Sequence, residues 1–172
     1  PVLNGLFLAV TAAIFEEFGR YIVMKLFLKK RRRFYDAVSF GFGHGGIEAI
    51  LFVGINTLAT FLMYGTLMAS AENVFLSGVE RLGTMVFHIF MSVLVMYSVS
   101  AKKPIYLVFA LLAHTAVDFF LPQMMRAGVN IWLIEGLNIL VALVCLVLIV
   151  MFKNKFKKLE SEKVINEKVI EY

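Results

Sequence analysis

Five runs of apolar residues, each close to or above the length of a bilayer crossing, dominate the pattern along the chain. They cover about Val2 to Leu28, Asp36 to Ala69, Glu80 to Ser100, Pro104 to Leu121 and Ile131 to Phe152. A membrane-spanning helix needs about 20 such residues. Nothing alternates as a barrel strand would, and open strands cannot satisfy their backbone groups in lipid. The predicted fold class is therefore all-α, a polytopic transmembrane helix bundle with five spans in this chain. The second run is too long to cross perpendicular to the membrane, so it is expected to tilt, bend or include an extramembrane turn. "SAENVFLSG" is expected to be a loop, and Pro122 to break the fourth span. Residues 1–152 form the transmembrane domain in this reading, and 153–172 a charged tail. The tail's apolar residues, Leu159, Val164, Ile165, Val169 and Ile170, have helical spacing. Such a tail lies on the membrane surface or is solvated.

Composition agrees with this pattern: 60% of the 172 residues are hydrophobic and 17% are charged. A soluble domain carries about a quarter charged residues. The net charge of +5 would suit nucleic acid, but the basic residues gather at the ends of apolar runs, so no nucleic-acid partner is expected. Lys25 and "KKRRR" follow span one, Lys102 and Lys103 follow span three, and "KNKFKK" follows span five. The other two loops carry almost no base. By the positive-inside rule the three basic ends are cytoplasmic, Pro1 is outside and the C-terminus is cytoplasmic. A cytoplasmic start would then require an odd number of further spans upstream. No signal peptide or internal repeat is visible. The single cysteine, Cys145, excludes an intrachain disulfide.

Polar residues interrupt the first four spans at one spacing. Span one has Glu16, Glu17 and Arg20; span two has His44 and Glu48; span three has His88 and Ser92; span four has His114 and Asp118. Residues four apart share a helix face. Counted from the basic markers at about 1.5 Å per residue, all of them fall roughly 14–23 Å deep, near the middle of a hydrocarbon core about 30 Å thick. A charge at that depth facing lipid costs about 2.5–3.5 kcal/mol even on lenient scales, so the four sets are expected to face one another. Gly19, Gly41, Gly43, Gly45, Gly46 and Gly83 are expected to allow close helix approach. Glu135 and Asn138, near the outer end of span five, have no mid-depth counterpart, and that span is expected to be peripheral. Glu80 and Arg81 lie near the outer interface and need no function.

This residue set suits hydrolysis. No serine elbow, P-loop or HExxH occurs. Ser92, one turn from His88, remains open as a nucleophile, but a carboxylate base is simpler. One of two adjacent glutamates can take a proton from water and return it to a leaving amine, while histidines orient the water or the oxyanion. No cofactor is expected on that account. The alternative is zinc, for which His44, Glu48, His88 and His114 would be the ligands with water in an open position.

The order Glu-Glu-x-x-Arg, Phe40-x-x-x-His44 with "GHGGIE", His88-x-x-x-Ser92 and His114-x-x-x-Asp118 resembles the CAAX-protease/bacteriocin-processing superfamily of intramembrane proteases. It is most similar to the YhfC-type branch, with PrsW proteases as near relatives. The resemblance covers Glu16 to Asp118. It implies an endopeptidase of the bacterial plasma membrane, cutting membrane-protein or lipidated peptide substrates. Glu16 and Glu17 match paired glutamates that activate water, Arg20 their basic partner, and His44, His88 and His114 the orienting histidines. Asp118 stands where many prenyl-protease relatives have asparagine. Those relatives also space the base one residue further from the glutamates, which leaves open whether Glu16 or Glu17 acts. Glu48 is particular to this branch, which has been labelled a metalloprotease, whereas superfamily relatives resemble metal-free glutamic proteases. Two other classes fit the polar residues: a proton-coupled transporter and a non-catalytic scaffold.

Overall fold

A computed structural model describes residues 2–65 and 70–170, the side chains of 71 and 163–170 excepted. The chain forms helices α1 (Val2–Leu26), α2 (Phe34–Ala49), a π-helical turn (Ile50–Gly54), α3 (Ile55–Tyr64), α4 (Ala71–Ala101), α5 (Ile105–Arg126) and α6 (Ile131–Ile170). No strand occurs among the described residues. Five stretches are long and apolar enough to cross a membrane, α2, the π turn and α3 together making one of them.

α4 is the axis of the bundle. From Phe90 to Ser98 every residue is buried, the signature of a helix surrounded by others rather than one facing lipid. α2, α6, α5 and α1 pack around it, and α1 also packs along α5. The outer surfaces of α1, α2, α3, α5 and α6 expose Leu, Phe, Ile, Val and Met side chains, as a lipid-facing surface requires.

Small residues bring α2 against α4. Ala37, Gly41 and Gly45 are buried at four-residue intervals on one stripe. A Cβ on Gly41 would lie 2.5 Å from the Ile89 Cα, and one on Gly45 would lie 3.1 Å from the Met85 Cα. The two backbones are therefore in direct contact. Gly83 is similarly close to the Asn138 side chain, whereas Gly19, Gly43 and Gly46 meet nothing within 4 Å. Close approach thus explains three of the six glycines singled out from the sequence.

The elements depart from expectation in two places. "SAENVFLSG" is not a loop but the start of α4: the Ser70 hydroxyl caps it, accepting from the Asn73 N–H at 3.2 Å. Pro122 does not end α5, which runs on to Arg126. Proline has no N–H, so the Asp118 carbonyl one turn back loses its helical donor. As the helical spacing of the tail predicts, α6 continues without a break from its apolar part through the charged segment to Ile170. The long second span resolves as one helix line interrupted by the π turn. Beyond that turn, α3 has no buried residue. Residues 66–69, at the expected end of span two, lie outside the described residues.

One end of the bundle carries the bases. The Arg32 guanidinium donates to the carbonyls of Met24 (3.2 Å) and Lys25 (2.5 Å), closing the C-terminus of α1. The Ser100 hydroxyl donates to the Arg32 carbonyl at 3.1 Å, tying this loop to α4. Lys155 lies over the rings of Tyr106 and Phe152, and Lys153 over Tyr35. There the α6 segment is held against the bundle by aromatic contacts, including Phe156 with Phe34 and Tyr97.

Candidate active site

α1 buries Ala9, Ala13, Glu17, Arg20 and Met24 on one stripe. Its small residues allow α5 and α4 to approach, and the same stripe turns Glu17 and Arg20 inward. Glu16, one position round the helix, faces a cavity instead. From α5, Leu107, Ala110 and His114 are buried in line, with Asp118 one turn beyond. From α2 and α4, the close Gly41/Gly45 contact brings His44 and Glu48 beside His88.

All eight proposed site residues meet in one connected network. Arg20 pairs through Nη1 with Glu17 Oε1, and through Nη2 with Glu16 Oε2 at 3.2 Å. Nη2 also donates to His88 Nδ1 at 2.7 Å. An arginine only donates, so His88 Nδ1 is the acceptor and its Nε2 carries the proton, facing Glu48 Oε2 at 2.7 Å. His44 Nε2 sits between Glu48 Oε1 at 2.9 Å and Glu16 Oε2 at 3.0 Å. His114 Nδ1 is 2.6 Å from Glu17 Oε1. Its Nε2 is 3.4 Å from Asp118 Oδ2 and 3.8 Å from Glu16 Oε2. The imidazole of His88 meets that of His114 edge-on and lies tilted against that of His44.

The two glutamates differ in exposure. Glu17 is 0% exposed, its Oε1 shared by Arg20 and His114 and its Oε2 without a partner among the described residues. The Glu16 side chain is 28% exposed and lines the cavity. Ser92 is not part of the network: it is fully buried in the α4 core, and its hydroxyl has no partner among the described residues.

The cavity measures about 550 Å³. Glu16, Glu48, His88, His114 and Asp118 line its inner end. From there it extends away from the basic end of the bundle, past Phe52 of the π turn, to Gln123, Arg126, Glu80, Arg81 and Asn138. The last three were assigned no function from sequence, and α6, expected to be peripheral, contributes Asn138 to the wall. Asn138 donates to the Glu80 carbonyl at 3.4 Å, and the buried Arg81 Nε has no partner among the described residues. The available signal was a polar pair three residues apart on span five, opposite a charged pair on span three. Only packing shows that the two pairs face each other.

Two sets of side chains can each place ligand atoms within 4.8 Å of one another: Glu16, His44, Glu48 and His88, and Glu16, Glu17 and His114. This differs from the four ligands expected from sequence. Glu16 takes the place of His114, which Glu17 and Asp118 hold apart on α5. The first set fits a divalent cation by its donor chemistry, two imidazoles and two carboxylates. A single His44 Nε2, with at most one proton, faces two carboxylate oxygens. The network as a whole holds four carboxylates against one guanidinium, an excess that a cation relieves.

A sequence profile described as "YhfC intramembrane metalloprotease" matches residues 1–73 and 65–138, which include all eight residues. The chain belongs to the YhfC family. A curated relative, "Uncharacterized membrane protein YhfC" of Bacillus subtilis (strain 168), is 32% identical to it over 66% of this chain and 54% of the relative. The chain thus spans about half the length of that relative. No solved structure matches. Five membrane-length apolar helices and a membrane-protein relative make this YhfC-family chain an integral membrane protein.

Proposed function

We propose that the chain carries the active site of an intramembrane endopeptidase, with the substrate's peptide bond entering the cavity above Glu16, Glu48 and His114. One observation supports this most: acids and imidazoles from four helices converge at the floor of a cavity large enough for a peptide segment. The family description points the same way, and the wider CAAX-protease likeness of the motifs belongs to the same proposal.

In this mechanism Glu16, the cavity-facing glutamate, takes a proton from water as the hydroxyl adds to the carbonyl carbon. Glu17 holds the His114 ring through Nδ1, so that Nε2 points into the cavity beside Asp118. His114 passes a proton from Nε2 to the leaving amine as the C–N bond breaks, and is resupplied by the proton that Glu16 took from water, the Glu16 Oε2 lying 3.8 Å from Nε2. Arg20 ties Glu16, Glu17 and His88 together, fixing three side chains at once. Where a divalent cation is resident, Glu16, His44, Glu48 and His88 would hold it, and it would polarise the carbonyl and activate water.

The test is cleavage by the purified protein in proteoliposomes, offered a library of membrane-spanning and lipidated peptides, with and without added zinc. New peptide termini should appear with the native chain and vanish with Glu16→Gln. No cleavage under either condition, or full cleavage by Glu16→Gln, would overturn the assignment.

A further inference from the structure

A second cavity, of about 370 Å³, lies at the basic end of the bundle, lined by Tyr21, Lys25, Arg32, Ser98, Val99, Lys102 and Pro104. None of these belongs to the carboxylate–imidazole network. The lining holds three cations and no acid. Arg32 already donates to the α1 carbonyls, and Lys25 donates to the Tyr21 hydroxyl at 3.2 Å. Neither contact neutralises charge. Lys102, in the left-handed conformation (φ 55°), ends α4 and has no acidic partner among the described residues.

Ser98 adds an independent pointer. It is 2% exposed, and its hydroxyl has no hydrogen-bond partner among the described residues. A buried, unpaired hydroxyl costs about 1–3 kcal/mol. Beside three cations, an anion accepting from it removes that cost.

The cavity's position selects the kind of anion. It sits where the apolar surface of the spans ends: Ile22 and Leu26, next in the chain to the lining residues Tyr21 and Lys25, and Ile105, next to Pro104, are exposed. A ligand held there by its head has apolar surface beside it for acyl chains. Basic pockets between helices at this level suit anionic lipid headgroups. We propose that this cavity binds the phosphate of an anionic phospholipid, with Lys25, Arg32 and Lys102 supplying charge and the Ser98 hydroxyl the innermost hydrogen bond.

Native mass spectrometry of the full chain in detergent, titrated with dioleoylphosphatidylglycerol, dioleoylphosphatidylcholine or inorganic phosphate, tests this. Each cation is worth roughly five-fold in affinity for an anionic headgroup. The double variant Lys25→Gln/Lys102→Asn should therefore hold phosphatidylglycerol roughly 30-fold less tightly. Asparagine tolerates the left-handed conformation at 102, so the end of α4 is kept. Ser98→Ala should weaken phosphatidylglycerol binding several-fold while leaving thermal stability unchanged or raised, an outcome a merely structural serine would not give. Phosphatidylcholine should bind weakly and be indifferent to these changes. Unchanged phosphatidylglycerol affinity in the double variant overturns the site. Binding of inorganic phosphate alone, with the same variant dependence and no lipid binding, overturns the lipid assignment in favour of a free phosphate.

Discussion

Glu16 and Glu17 are neighbours in the chain, but their environments differ. Glu17 has no exposure and satisfies both Arg20 and His114. Converting it to glutamine removes the buried charge that Arg20 and His114 share and leaves Arg20 with Glu16 as its carboxylate partner. Removing one member of a buried pair typically costs about 3–5 kcal/mol, so Glu17→Gln should unfold at markedly lower denaturant or temperature in detergent. Glu16 borders the cavity, where water can replace what glutamine cannot supply. Glu16→Gln should keep stability within about 1 kcal/mol and lose cleavage by about 100-fold or more. Unfolding midpoints measured beside cleavage separate the two; equal destabilisation by both variants would contradict the distinction. Sequence spacing could not make it, because adjacent helical residues differ by about 100° in direction and either could have faced inward.

The α2–α4 contact places half the site, and it depends on absent side chains. A Cβ at Gly41 runs into the α4 backbone at Ile89, whereas Gly43 meets open space. Gly41→Leu should push α2 away, parting His44 and Glu48 from His88, with a stability loss of about 1–3 kcal/mol. Gly43→Leu should be tolerated. Thermal midpoints and cleavage of the two variants give the comparison, and similar behaviour would remove the close contact as the positioning device. The sequence showed five apolar stretches and the shared depth of their polar residues, because length and depth are linear properties of a helix. It did not show which glycines touch a neighbour, since that depends on rotation about each helix axis. Nor did it show α5 continuing through Pro122: the proline lies one turn past Asp118, and only packing of the flanking turns keeps the helix intact. The "SAENVFLSG" segment was misread for a similar reason, its small and polar residues resembling a turn although Ser70 supplies an N-cap. Asn138 was visible as a polar residue on span five but was given no place at the cavity, because its partner, the Glu80 carbonyl, is a backbone group on another helix.

Across the whole molecule, charge balance links the site to its membrane setting. Four carboxylates and one guanidinium inside a bundle of apolar helices need positive charge from protons on the imidazoles or from a bound cation. The Glu16, His44, Glu48 and His88 set predicts about one zinc per chain in protein purified without chelators, measured by elemental analysis. His44→Ala and Glu48→Ala should lose the metal, and chelation should lower the thermal midpoint of the native chain but not of these variants. A metal-free preparation whose midpoint ignores added zinc would leave the carboxylates as the sole water-activating groups. The same molecule-wide charge pattern orients the cavity. Bases gather at one end, around Lys25, Arg32, Lys102 and Lys155, while the cavity extends toward the other, past Arg81 and Arg126. If the basic end is cytoplasmic, as the charge rule predicts, the peptide substrates proposed above would reach Glu16 from the outer half of the bilayer. Cys145 is buried, so single cysteines added at Lys30 and Glu72 can report sidedness with little background. In intact cells a membrane-impermeant thiol reagent should label the cysteine at 72 and spare the one at 30 until the membrane is opened. Labelling in the reverse order would turn the cavity toward the cytoplasm and make cytoplasmic segments of membrane proteins its natural substrates.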